Sequence, residues 1–151
     1  SAELRVSVSG NVLNYELEYF AGDCDLPGWA GIHTWFPREI GGGAQSAEVI
    51  FTAEKMLKVD DTLMPNGEFI SPITPQPWDD VFFNPIGTPT TLWKGGAKLE
   101  VTSPTPWWVV YTLDSEGVCI EPQTAPPNAQ NLGYDLSKSN LLQAQFTFSK
   151  A

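Results

Sequence analysis

Residues 4–19 read LRVSVSGNVLNYELEY, and their spacing decides the fold class. Leu4, Val6 and Val8 alternate with polar residues, and Ser9, Gly10 and Asn11 make a turn. Leu13, Tyr15, Leu17 and Tyr19 then alternate with Asn14, Glu16 and Glu18. A period of two puts the apolar side chains on one face, so this stretch reads as a β-hairpin with one wet side. Sheet patterning begins almost at once. A start at Ser1 without methionine is expected to reflect a processed, trimmed or engineered N-terminus, and with no signal-peptide pattern the expected compartment is the cytoplasm.

The same punctuation continues along the chain. Thirteen prolines and thirteen glycines in 151 residues suit short strands joined by turns. Residues 21–47 read as loop around a short apolar run at 32–36, with GGGAQ at 41–45 as a surface loop. AEVIFTAEKMLKVD at 47–60 reads mostly as strand with hairpin character, a short helix at 53–58 remaining open; 61–78 reads as turn-rich. WDDVFFN at 78–84, a hairpin across Lys94 to Gly96, PWWVVYTL at 106–113, GVCIEP at 117–122 ended by Pro122, and LLQAQFTFS at 141–149 supply further strands. No internal repeat or linker emerges. The expected architecture is all-β, an antiparallel sandwich, in one domain spanning residues 1–151.

Composition narrows the function. Eight Lys plus Arg against eighteen acids give a net charge of -10, which supplies no basic face for nucleic acid or for an anionic membrane surface. No run approaches a membrane span. A neutral, hydroxyl-rich ligand fits this balance. Cys24 and Cys119 lack the company of a disulfide framework and read as free thiols. There is no phosphate-binding glycine loop, no Gly-x-Ser-x-Gly elbow and no Cys/His cluster with zinc spacing, so no cofactor or metal is expected.

The reactive inventory therefore reduces to His33, some carboxylates and the aromatics. His33, the one histidine, lies in GWAGIHTWFPRE at 28–39. On residue type alone it reads as a histidine satisfied by one backbone hydrogen bond; an imidazole is also the best proton donor or acceptor available near neutrality. Glu121 directly follows Val118, Cys119 and Ile120. A carboxylate at the end of a buried strand is costly unless paired or used, and Pro122 holds it in extended geometry. Asp79 and Asp80 are adjacent in a strand and so point to opposite faces. Trp35, Trp78, Trp93, Trp107 and Trp108 are candidates for an aromatic platform under a sugar ring, although core packing explains any one of them taken alone.

GIHTWFPR, WDDVFFN and VCIEPQTAPPNAQN, in this order, resemble the aldose 1-epimerase (galactose mutarotase-like) family. The resemblance covers nearly the whole chain, and the Glu-Pro-Gln-Thr segment is its most specific piece. It implies part of a β-supersandwich and interconversion of the α and β anomers of a hexose, without cofactor or metal. His33 then resembles the general acid, Glu121 the general base and Asp79 a ligand to sugar hydroxyls, with Asp80 the less favoured register; Trp35 joins Asp79 as a substrate-binding residue. Family members are usually about twice as long and carry a second histidine and an arginine against the sugar. The chain accordingly resembles their C-terminal half. It is expected to expose sheet edges and apolar surface, with self-association or a complementary N-terminal half as the remedy. The alternative is a carbohydrate-binding module, or an incomplete enzyme, that keeps the fold without turnover.

Overall fold

The computed structural model describes residues 1–20, 23, 28–136 and 140–151. Among them it is all-β, with two antiparallel six-stranded sheets and no helix. No helix is therefore long and apolar enough to cross a membrane. Strands β1 (Ala2–Ser9) and β2 (Val12–Tyr19) are the hairpin read from the alternation, closed at Gly10, whose φ of 59° favours glycine. They form one end of the first sheet, which continues through β12 (Leu141–Lys150), β9 (Ala97–Thr102), β8 (Thr90–Trp93) and β4 (Glu48–Ile50). The second sheet runs β3 (Trp35–Pro37), β11 (Gly117–Gln123), β10 (Trp107–Tyr111), β7 (Asp79–Pro85), β5 (Ala53–Val59) and β6 (Pro65–Ile70).

Alternate residues of both sheets meet in one core, including Phe82, Leu99, Val110, Ile120, Leu142 and Phe146. Phe36 on β3 reaches Phe146 on β12 with ring centroids 5.9 Å apart, which locks the sheets together at the β11 side. A second cluster of Leu57, Val81 and Trp107, with Phe83, Val109 and Tyr134 against it, is built from the alternate residues of the second sheet, on the face turned away from that core. The segment after β11 covers part of this face: Asn128 donates to the Pro65 carbonyl at 2.9 Å and the Tyr134 ring lies 5.2 Å from that of Trp107.

Three local readings are corrected. Residues 53–58 are strand, not helix, and β4 and β5 are no hairpin, because the chain passes from one sheet to the other at Phe51 and Thr52. The turn-rich 61–78 contains edge strand β6, which tolerates Pro65 at its first position. Strand β11 does not end at Pro122 but continues to Gln123. Leu4, Val6 and Val8 share a face with Leu17, Tyr15 and Leu13 opposite them, yet they stay 55%, 52% and 72% exposed. Edge strand β1 thus presents an uncovered apolar row.

Candidate active site

Pro122 determines how His33 is presented. Successive residues of a strand direct their backbone groups to alternate sides. The Ile120 and Pro122 carbonyls point toward residues 28–37, since Thr34 Oγ1 donates to the first at 3.2 Å and the Ile32 amide to the second at 3.2 Å. Proline has no N–H to return on that side. Regular pairing is accordingly confined to Trp35 opposite Cys119, Phe36 opposite Val118 and Pro37 opposite Gly117, plus a single bridge from Gly31 to Gln123. His33 lies in the gap between them, in register opposite Glu121 but outside the ladder.

The outer face of the second sheet can be followed as rows across the strands. One row carries Trp35, Cys119, Tyr111 and Asp79. The next carries His33 beside Glu121, then Val109 and Val81. A third carries Gly31, Gln123, Trp107 and Phe83. His33 Nδ1 lies 2.6 Å from Glu121 Oε1, with the imidazole 72% exposed and the carboxylate side chain only 10% exposed. Trp35 and Tyr111 flank Cys119 from the neighbouring strands with ring centroids 5.9 Å apart, and Cys119 is fully buried. Gly117 makes room for this arrangement: a Cβ there would lie 2.2 Å from the Trp35 indole.

Burial holds the Glu121 carboxyl above the ordinary carboxylate range. His33 and a hydrogen bond from Cys119 pull the other way, and the negative charge of Asp79 adds to the rise. Burial, with the Glu121 charge behind it, pushes the Cys119 thiol up to about 12. Cys119 is free, as read from the sequence; Cys24 lies outside the described residues. Asp79 shares the outer face with Glu121. Asp80 sits on the face of Trp78 and Phe82, directed toward the core, and burial raises its carboxyl.

The fold thus brings together His33, Glu121, Trp35 and Asp79 on one face. The platform residues divide differently. Trp78, Trp93 and Trp108 are core residues whose indole N–H groups donate to the carbonyls of Thr74, Pro37 and Thr105 at 2.8, 2.9 and 2.9 Å, and Trp107 is buried in the second cluster. Trp35 remains 49% exposed. Cys119 is the site residue that sequence reading missed. Its signal was the Cys-x-Glu spacing at 119 and 121, which puts both side chains on one face of a strand. The one metal-capable group among the described residues is His33, Cys119 and Glu121, with ligand atoms all within 4.8 Å of one another. Two surface depressions, of about 550 and 420 Å³, lie elsewhere, one beside Glu16 and Gln143 and the other beside Asn84 and Trp108. His33 and Glu121 line neither of them.

Both arginines are engaged. Arg5 meets Glu3 and Glu16 on the far hairpin, while Arg38 donates to the Ala47, Thr112 and Asp114 carbonyls and ties three segments together. Neither faces the His33–Glu121 pair as a phosphate ligand.

No protein-family model and no curated protein matches the chain. Solved structures do. A galactose mutarotase-like protein from Clostridium acetobutylicum aligns with 99% of this chain at a TM-score of 0.66 and 14% identity. A GalM/aldose epimerase homologue from C. elegans aligns with 99% of it at a TM-score of 0.69 and 17% identity. The chain spans 67% and 60% of the lengths of those two chains. At such identities the likeness is one of fold, and the fold is that of a galactose mutarotase-like β-sandwich.

Proposed function

We propose that this chain carries the acid–base face of an aldose 1-epimerase, interconverting the α and β anomers of a hexose. The observation that carries the reading is the 2.6 Å contact between exposed His33 and buried Glu121. Glu121, ionised, takes the proton of the anomeric hydroxyl. His33, protonated, donates to the ring oxygen. The bond from C1 to the ring oxygen breaks and leaves an open-chain aldehyde. Rotation about C1–C2 and closure with the roles reversed give the other anomer.

The spacing of the pair suits this chemistry. The anomeric and ring oxygens are bonded to the same carbon, so donor and acceptor must stand close together. In the free chain the two groups contact each other directly, and the sugar must replace that contact. His33 has the freedom to move because it lies outside the ladder and is largely exposed. Trp35 offers a ring face to the sugar C–H groups, and Asp79 accepts from its hydroxyls. With both arginines engaged, a neutral aldose is preferred to a sugar phosphate.

The test is polarimetry on freshly dissolved α-D-glucose and α-D-galactose, with His33→Ala and Glu121→Gln alongside. Acceleration that falls roughly 10²–10⁴-fold in each variant supports the pair as acid and base. A rate equal to buffer refutes turnover by this chain.

Two observations favour the second reading, a carbohydrate-binding module or incomplete enzyme. The chain spans only 60% to 67% of the matched chains, and the Leu4, Val6 and Val8 row lies uncovered. A complementary N-terminal half or a second copy would cover that row. Sugar-dependent tryptophan quenching that disappears in Trp35→Ala, without anomerisation, identifies this case.

A further inference from the structure

We propose that His33, Cys119 and Glu121 form a binding site for a thiophilic divalent cation, with Zn²⁺ as its natural class. Each residue offers a different ligand atom, an imidazole nitrogen, a sulfur and a carboxylate oxygen, and these atoms lie within 4.8 Å of one another. Ligand atoms around tetrahedral zinc stand roughly 3.3–3.7 Å apart, given bonds of about 2.0–2.3 Å. Fitting a metal therefore takes shifts of about an ångström: His33 Nδ1 and Glu121 Oε1, 2.6 Å apart, must part to admit the ion, while the widest separations in the group, up to 4.8 Å, close. Cys119 and Glu121 are fixed in β11, whereas His33 is exposed and outside the ladder.

Charge and ligand chemistry select the ion. Cys119 and Glu121 project from one face of β11 with Asp79 in the same row as Cys119, so a dication there sits among acidic side chains. A thiol with an imidazole excludes magnesium and calcium, which take oxygen ligands. The sulfur–hydrogen bond breaks, its electron pair goes to the metal, and the proton leaves to buffer as metal-bound water is released. On a neutral imidazole the Nδ1 hydrogen moves through solvent to Nε2, leaving Nδ1 to the metal. With three protein ligands, a fourth position remains on the exposed His33 side for water. Because the ion occupies both members of the acid–base pair, Zn²⁺ should inhibit anomerisation; that corollary alone rests on the function proposed above.

The experiment is titration of the full chain, carrying Cys24→Ser, with Co²⁺ as a coloured stand-in, followed by Zn²⁺ displacement. A thiolate-to-cobalt absorption band at one ion per chain, bleached by Zn²⁺, is expected. It should vanish in Cys119→Ser and weaken at least tenfold in both His33→Ala and Glu121→Gln. His33→Ala changes an exposed side chain and decides the matter even where Cys119→Ser fails to fold. Absence of the band at millimolar Co²⁺, or a band equally strong without His33, overturns the site. Metal binding by a chain that never anomerises sugars would refute the function and leave this inference standing.

Discussion

Replacing His33 with alanine separates an energetic pair from a coincidental contact. The side chain is 72% exposed, so its own packing contributes little, but it stands 2.6 Å from a carboxylate that is only 10% exposed. Exposed ion pairs are worth about 0.2–1 kcal/mol, and breaking a fully buried pair costs about 3–5 kcal/mol. With one partner buried and the other wet, the expected loss for His33→Ala is ~1–2 kcal/mol, most of it the cost of leaving the Glu121 charge without its partner. For a domain of this size that lowers Tm by about 3–7 °C. The assay is urea denaturation of wild type, His33→Ala, Glu121→Gln and the double variant at about pH 6. In the Glu121→Gln background, His33→Ala should cost less than about 0.5 kcal/mol.

The pH dependence carries a sign of its own. The folded-state pKa of Glu121 is raised, so as pH climbs from the ordinary carboxylate pKa through the folded value, the unfolded chain ionises first and stability is lost. Glu121→Gln should therefore gain on wild type as pH rises through that window, and His33→Ala should deepen the wild-type loss. Equal cost of His33→Ala in both backgrounds would refute the pairing argument.

Gly117→Ala should cost ~1–3 kcal/mol and change Trp35 fluorescence, because the new Cβ lies 2.2 Å from the indole; a silent variant would mean that Trp35 does not rest on Gly117. In a Cys24→Ser background, Cys119 should react with a disulfide reagent at about pH 8 on the order of 10³-fold slower than an unfolded thiol, given a thiol pushed up to about 12 and buried. Comparable native and denatured labelling rates would contradict the burial of Cys119. Sedimentation should show concentration-dependent association of the chain that Val6→Lys removes; a wild type that stays monomeric at high concentration would count against self-association through β1.

Alternation at 4–19 and at 141–149 was legible because each strand there has one polar side, and period two marks the boundary. The interior of 47–78 was not. Its two strands belong to different sheets, and local pattern does not record a change of sheet. Asp79 and Asp80 were separable as opposite faces, but only the register of β7 with β10 tells which face looks toward Glu121. The tryptophans illustrate the same limit. Trp35 and Trp93 are both strand tryptophans, and only the third dimension leaves one open and buries the other.

Pro122 is where local chemistry and the site meet most directly. As a strand terminator it was read wrongly, because β10 pairs with β11 on the side that needs no proline N–H and carries the strand onward. On the other side the missing donor leaves 32–34 without regular pairing, and single contacts from Thr34 Oγ1 and the Ile32 amide satisfy the facing carbonyls. A residue with an N–H at 122 would allow the ladder to run from Gly31 to Pro37 without interruption. His33 would then be fixed as an ordinary strand side chain beside Glu121. The break in the ladder is what would let His33 exchange Glu121 for the sugar oxygen or the metal ion proposed above. Pro122→Ala should accordingly lengthen β3 across 32–34, read as slowed amide exchange there. Unchanged exchange at Thr34 would show that the break in the ladder has another cause.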